Sequence, residues 1–213
     1  GIGKAIAQAL LSEGAIVVGT ATTAAGAEGI SQWIAGIGGQ GHGVVLDVSD
    51  GAAIDTVVGE IEKQSGAIAI LVNNAGITRD NLAIRMKDEE WDAVINTNLR
   101  SVYKLSRAVL RGMMKKRAGR IINVGSVVGT MGNAGQTNYA AAKAGEELAS
   151  LAEHFVSQAF FNQVCGYTPQ TDIRFSGLQA VPAATRILRQ SSRTDDASLT
   201  SADVVYSLSR HLD

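Results

Sequence analysis

Three side chains that could carry out proton chemistry lie in the stretch 123–145. Ser126 follows an apolar run that predicts a strand. Tyr139 and Lys143 lie further along, in an alanine-rich segment that predicts a helix. Residues four apart on a helix share one face, so we expect the phenol and the ammonium to be neighbours.

Together these three groups could protonate a carbonyl oxygen. A tyrosine ordinarily loses its proton near pH 10, so it exchanges protons near neutral pH only when a positive charge stabilises the phenolate, and Lys143 supplies one. We expect Thr137 or Asn138 to cap the helix, which leaves Tyr139 in the first turn, where the helix dipole also favours an anion. With Ser126 bonded to the same substrate oxygen, Tyr139 would be the general acid of a carbonyl reduction, or the base of the reverse reaction.

The surrounding chain alternates between apolar strands and amphipathic helices. Strands are predicted at residues 15–19, 44–46, 67–72 and 121–124, helices at residues 2–11, 25–36, 52–63, 88–96 and 102–116, and a glycine-rich loop at residues 36–43. Continuous apolar strands between helices are typical of a parallel sheet that is covered on both faces. The sequence therefore predicts an α/β fold with a Rossmann-like, doubly wound parallel sheet.

The first residues carry part of a dinucleotide-binding pattern. Gly1-Ile2-Gly3 runs into the first helix, as in turns where backbone N–H groups face a pyrophosphate, although the strand and the further glycine that normally precede them are not in the sequence. Residues 20–23 follow the next strand and contain no carboxylate, which NAD enzymes usually have at this point. Because a threonine hydroxyl such as that of Thr22 can donate to a 2′-phosphate, NADPH/NADP is the favoured cofactor.

The residues themselves resemble a known family. The segment GSVVGTMGNAGQTNYAAAKAG, the NNAG at residues 73–76 and the run ITRDNLAIRMKDEEWDAVINTNLRSVY are similar to the short-chain dehydrogenase/reductase family, in its branch of 3-oxoacyl-[acyl-carrier-protein] reductases. The resemblance implies that Ser126 orients the carbonyl, Tyr139 gives the proton, Lys143 supports Tyr139 and grips the nicotinamide ribose, and Asn98 holds a water in a proton relay.

The same resemblance implies the remaining contacts. Asp47 and the adjacent Val48 would approach the adenine, and Asn74, Ala75 and Gly76 would line the nicotinamide side of the cofactor. The family also implies a homo-oligomer, a tetramer in which the Tyr139 helix and the helix from Val102 pair across subunits.

A basic run, Lys115-Lys116-Arg117, ends the predicted helix over residues 102–116. Cations stabilise a helix C-terminus, which explains the run without any partner. The alternative is that Arg117 helps to dock an acidic acyl carrier protein near the mouth of the site.

After Gly145 the resemblance fades. Thr171-Asp172 is similar to a Thr-Asp pair that closes over the cofactor amide, and residues 199–212 predict a final helix capped by Thr200. We expect one domain over residues 1–213 in which the first strand and the C-terminal strand are missing, as in an incomplete or partly misassigned sequence.

The composition argues against several classes of partner and of site. The net charge is −1 and charged residues make up 18% of the 213, which favours neither nucleic acid nor an anionic membrane as a partner. Cys165 is the only cysteine and the three histidines are scattered, so no metal site is expected. The sequence has no apolar run of membrane-spanning length and no secretory leader pattern, so we expect a cytoplasmic protein.

The function that these observations predict is NADPH-dependent reduction of 3-oxoacyl-[acyl-carrier-protein] to the 3-hydroxyacyl form in fatty acid biosynthesis. Two alternatives stay open. One is a reductase of coenzyme A thioesters or another small ketone, since residues 168–195 do not reveal specificity. The other is a non-catalytic nucleotide-binding subunit of the same fold.

Overall fold

The computed structural model describes residues 1–146 in full and the backbone of residues 175–176 and 203–207. The helices in this part of the chain are α1 (Ile2–Ser12), α2 (Ala24–Gly36), α3 (Gly51–Ser65), α4 (Asp88–Ile95), a π-helical turn (Asn96–Arg100), α5 (Ser101–Lys116), α6 (Val127–Met131) and α7 (137–146). The strands are β1 (Ile16–Ala21), β2 (Gln40–Val45), β3 (Ile70–Asn73), β4 (Arg120–Gly125), β5 (Phe175–Ser176) and β6 (Asp203–Ser207).

The described strands form one parallel sheet in the order β2-β1-β6-β3-β4-β5. In a parallel sheet all carboxyl ends lie at one edge, which is where ligands bind in folds of this kind. That edge carries the residues that follow β1, β2, β3 and β4, which include Thr22, Asp47, Asn74 and Ser126.

Successive strand residues point to opposite faces of the sheet and pack against different helices. Val17 and Val72 belong to a buried cluster with Ile6 and Leu10 of α1. Val18 and Leu71 belong to a second cluster, with residues of α3 and α5. The sheet is therefore covered on both faces, as the apolar strands predicted.

The predicted helix over residues 199–212 is wrong for residues 203–207, because these form β6. This strand lies between β1 and β3, and Val205 pairs with Val18 on one side and Leu71 on the other. Valine and tyrosine favour strands. The edges of β1 and β3 also carry backbone N–H and C=O groups, which a helix at this position would leave without hydrogen bonds. The position between β1 and β3 is thus occupied by a segment from far along the chain.

The predicted loop over residues 36–43 is also partly wrong, since β2 begins at Gln40. Its glycines permit close packing of the backbone. A Cβ at Gly41 would collide with the carbonyl of Val17, and one at Gly43 with the carbonyl of Ala27. Glycine here therefore marks a strand in close contact with its neighbours and not a turn.

No helix within the described ranges is long and apolar enough to cross a bilayer. The same ranges bring together no group of three His, Cys, Asp or Glu side chains that could hold a metal ion.

Candidate active site

Ser126 follows β4 directly and begins the next helix. Its side-chain oxygen accepts a hydrogen bond from the Val128 N–H at 3.3 Å, so the hydroxyl caps α6. Helix α6 lies tightly on α7, because a Cβ added at Gly129 would be 2.9 Å from the backbone carbon of Lys143. This close contact brings the segment that carries Ser126 beside the helix that carries Tyr139 and Lys143.

Lys143 is 5% exposed, and its ammonium reaches the end of β4. Nζ donates to the Val124 carbonyl oxygen at 2.8 Å, two residues before Ser126. Nζ is also 2.8 Å from Oε2 of Glu146, which is 1% exposed. A buried ammonium is stable only when its charge and its N–H groups are matched, and these two contacts provide the match.

Glu146 was missed by the sequence analysis, which gave Lys143 only Tyr139 and the cofactor ribose as partners. The signal was present, because residues three apart on a helix can form an ion pair. It had little weight because Glu146 lies after Gly145, where the family resemblance ends.

Tyr139 is half-buried in the first turn of α7, as predicted, but the predicted cap is wrong. The helix begins at residue 137, so both Thr137 and Asn138 lie inside it. Asn138 is fully buried, and its amide group donates to the carbonyls of Arg79 at 2.9 Å and Glu90 at 3.2 Å. The Asn138 Oδ1 also accepts from the Tyr139 N–H at 2.8 Å, within the first turn. Asn138 therefore ties the start of α7 to the segment after β3 and fixes the position of Tyr139.

That segment is itself held in place. The Asn81 N–H donates to the Gly135 carbonyl at 2.9 Å, in the loop before α7. The carboxylate of Glu90 accepts from the Lys87 N–H at 2.9 Å and from the Asn81 amide at 3.0 Å. These two hydrogen bonds, the one from Lys87 being the larger influence, hold the pKa of Glu90 below its usual value.

Asn98 is fully buried in the π-helical turn between α4 and α5. Its Oδ1 accepts from the Ile77 N–H and its Nδ2 donates to the Ile77 carbonyl, both at 2.8 Å. A Cβ at Gly76 would lie 3.4 Å from Oδ1, so the Asn74–Gly76 segment passes directly over this amide. Single π-helical turns are frequent at functional sites.

The π-helical turn also lies against α7. A Cβ at Gly145 would be 3.0 Å from Leu99, the neighbour of Asn98. The structure therefore gathers Asn98, the Asn74–Gly76 segment, α6 and the Tyr139–Lys143 helix into one packed unit at the carboxyl end of the sheet.

The residues predicted to bind the cofactor lie along the same edge. Helix α1 begins after Gly1, with no side chain capping its first N–H groups, and Gly3 is buried. Thr22 and Asp47 are exposed after β1 and β2, and Val48 is buried. The Asp47 carboxylate is oriented by Ser49, which donates to it through its N–H at 2.9 Å and its hydroxyl at 2.7 Å.

This donor set fits a phosphorylated dinucleotide. Uncapped N–H groups at Ile2 and Gly3 suit a pyrophosphate, and the hydroxyl of Thr22 suits a 2′-phosphate. Asp47 offers an acceptor for the adenine amino group.

Arg117 is the predicted site residue that the fold does not bring to this cluster. It ends α5 in the left-handed region, with φ of 54°, and leads into the start of β4, whereas Ser126 follows the end of that strand. A strand of six residues separates the two by about 20 Å. Docking through Arg117 stays a prediction. Within one protomer, Arg117 lies at the edge of the sheet opposite to Ser126.

The predicted contact of Thr171-Asp172 with the cofactor amide falls outside the described residues.

Comparisons with known proteins show which family this chain is similar to. The profile of a family described as short chain dehydrogenase matches residues 1–174. The 3-oxoacyl-[acyl-carrier-protein] reductase FabG of Vibrio harveyi is 64% identical over 145 residues, which cover 68% of this chain and 58% of that protein. The FabG protein of Escherichia coli K12 is 61% identical over the same share of both chains.

The fold has a counterpart among solved structures. A short chain dehydrogenase from Mycobacterium smegmatis superposes with a TM-score of 0.77 at 29% identity, covering 100% of this chain and 88% of that one. The chain spans 58% of the length of the FabG proteins that it matches. With a family profile that covers most of its residues, this chain belongs to the short-chain dehydrogenase family.

Proposed function

We propose that this protein catalyses the NADPH-dependent reduction of 3-oxoacyl-[acyl-carrier-protein] to 3-hydroxyacyl-[acyl-carrier-protein] in fatty acid biosynthesis. The observation that supports it best is the buried ammonium of Lys143. It bonds to the Val124 carbonyl at 2.8 Å, so it lies at the end of the strand that leads to Ser126, one helical turn from Tyr139. The similarity to FabG proteins supports the choice of substrate.

The roles of the side chains follow from this arrangement. When bound, NADPH supplies a hydride to the carbonyl carbon at C3 of the substrate. The Tyr139 hydroxyl gives a proton to the carbonyl oxygen, and the Ser126 hydroxyl donates a hydrogen bond to the same oxygen. The Lys143 ammonium stabilises the phenolate that Tyr139 becomes.

Asn98 has a positioning role in this scheme. Its amide bonds to both backbone groups of Ile77, which fixes the neighbouring Asn74–Gly76 segment. That segment would line the nicotinamide side of the bound cofactor. A relay water at Asn98 stays a prediction. Gly1, Ile2 and Gly3 would hold the pyrophosphate, Thr22 the 2′-phosphate, and Asp47 with Val48 the adenine.

The carrier, the assembly and the location are parts of the same proposal. The acyl group is carried on acyl carrier protein, the assembly is a homotetramer, and the protein works in the cytoplasm. A tetramer would also give Arg117 a neighbouring subunit on which docking could occur.

The test is NADPH oxidation with acetoacetyl thioesters of acyl carrier protein and of coenzyme A, offered separately. We expect faster turnover on the carrier-protein thioester. Tyr139→Phe should lower kcat by about 10²–10⁴-fold, since it removes the proton donor, while NADPH fluorescence titration shows binding unchanged.

Tyr103→Phe is the matched control, because Tyr103 is exposed on α5. It should keep full activity. Turnover that survives Tyr139→Phe would contradict the mechanism. Turnover only on coenzyme A thioesters or another ketone would point to the first alternative. NADPH binding without turnover on any of them would point to a non-catalytic subunit.

A further inference from the structure

The ion pair between Lys143 and Glu146 is a feature that the proposed mechanism does not use. Both side chains are almost fully buried, at 6% and 1% exposure, and their charged atoms are 2.8 Å apart. Lys143 lies between Tyr139, four residues earlier, and Glu146, three residues later, on one face of α7. The ammonium on which Tyr139 would depend thus has a carboxylate as its nearest charged neighbour.

The charge of that carboxylate opposes the expected action of the lysine. An isolated ammonium near a tyrosine favours the phenolate. A carboxylate in contact with the ammonium cancels most of its field, and burial keeps water from screening either charge. The pair should therefore stabilise the Tyr139 phenolate less than a lone Lys143 would, while it holds the ammonium in one position.

The charged groups on α6, on β4 and on the π-helical turn do not titrate in the pH range of a tyrosine. Helix α6, which packs on Lys143 through Gly129, has no charged residue. β4 begins with Arg120, whose guanidinium bonds to the Gly119 carbonyl at the far end of the strand from Val124. The π-helical turn ends in Arg100, which is exposed. Arginine stays protonated throughout the pH range in which a tyrosine titrates.

Tyr139 is the titratable group on α7 itself that lies beside the pair. The nearest acid on α4 that touches the start of α7 is Glu90, whose carboxylate is bound by the Lys87 N–H and the Asn81 amide. Asp80 accepts from the Gln136 side-chain amide at 3.0 Å, just before α7 begins. Of these acids, Glu146 is the one in contact with the Lys143 ammonium.

We propose that Glu146 is a positioning residue that sets the pH at which Tyr139 exchanges its proton, by neutralising and holding the ammonium of Lys143. This inference rests on the proposed function for its place in catalysis. Its physical content, the coupling of Glu146 to Tyr139 through Lys143, can be measured without substrate.

The first test is an ultraviolet titration of tyrosinate in the full-length protein without cofactor. The Tyr139→Phe titration is subtracted, so that the signal of Tyr139 remains among the four tyrosines. Glu146→Gln keeps the shape and a hydrogen-bonding oxygen but removes the charge. We expect it to move the midpoint of the Tyr139 titration to lower pH by about one unit.

Glu146→Asp and Glu60→Gln are the controls. The aspartate keeps the charge and shortens the side chain, so the titration should keep the wild-type midpoint. Glu60 is exposed on α3, and its substitution should change nothing. A merely structural role would give the opposite order, because the shorter aspartate would disturb the packing more than the isosteric glutamine.

The second test is the pH profile of kcat for thioester reduction. Reduction needs protonated Tyr139, so Glu146→Gln should move the alkaline limb of the profile to lower pH by the same amount as the tyrosinate midpoint. A midpoint that stays or rises in Glu146→Gln would overturn the inference. If the wild type turns over none of the thioesters, the proposed function fails, and the tyrosinate titration still decides the role of Glu146.

Discussion

At the scale of single residues, the site depends on polar groups that are buried and hydrogen-bonded. Lys143 and Asn98 are 5% and 0% exposed. A buried ammonium or amide is unfavourable unless each strong donor finds a partner, so such residues fix the backbone around them. Lys143 fixes the end of β4, and Asn98 fixes the segment after β3.

Asn98→Ala tests this anchoring. The change leaves the N–H and the carbonyl of Ile77 without their partners, which lie at 2.8 Å in the wild type. Because each of the two groups left unpaired costs about 1–3 kcal/mol, we expect the free energy of unfolding to fall by about 2–6 kcal/mol. Urea denaturation followed by circular dichroism measures the loss.

Asn96→Ala is the matched control for that experiment. Asn96 lies in the same π-helical turn, is only half-buried, and makes one long contact of 3.5 Å with Arg100. It should lose less than about 1 kcal/mol. Equal losses in the two variants would mean that the turn itself, and not the clamp on Ile77, determines the stability.

At the scale of elements, the contact between α6 and α7 aligns Ser126 with Lys143. Gly129 allows this contact, because a Cβ there would be 2.9 Å from both the Lys143 carbon and the Ala144 nitrogen. Backbone atoms cannot move aside cheaply. A larger residue must therefore push α6 away from α7.

Gly129→Ala should thus lower kcat by about 10-fold or more, because misplacing a catalytic group by about 1 Å is enough for such a loss. NADPH binding should change little. Steady-state kinetics on the acetoacetyl thioester provides the comparison.

The control is Gly59→Ala on α3, another helical glycine, where a Cβ would meet nothing within 4 Å. It should keep kcat and gain about 0.5–1 kcal/mol in stability from helix propensity. Unchanged kcat in Gly129→Ala would show that the α6–α7 spacing does not control catalysis.

Elements and site could be predicted from sequence to different extents. The apolar run over residues 15–19 and the amphipathic Val102–Lys116 pattern correctly predicted β1 and α5. A strand that is buried on both faces leaves a continuous apolar run, and a helix that is buried along one stripe leaves a periodic pattern. Gly41 and Gly43 led to a loop prediction over part of β2. The sequence does not distinguish a glycine that close packing requires from one that a turn requires. The Val124 partner of Lys143 could not be predicted, because that contact is tertiary and needs coordinates.

At the scale of the whole molecule, the sheet depends on a strand that comes from far along the chain. β6 is paired on both sides, to β1 and to β3, and it joins the half that carries α1 to the half that carries Ser126, Tyr139 and Lys143. Its register sets Val18 opposite Val205, and Val205 opposite Leu71. A weak β6 would leave two open edges in the middle of the core.

Val205→Pro tests this arrangement most directly. Proline has no N–H to donate and is poorly tolerated in a central strand, so we expect a loss of about 3 kcal/mol or more in the free energy of unfolding. Val205→Ala keeps the backbone donor and should therefore lose less. Urea denaturation compares both with the wild type. If the two variants unfold at the same urea concentration as the wild type, residues 203–207 do not hold β1 and β3 together, and the two halves must be joined through other contacts.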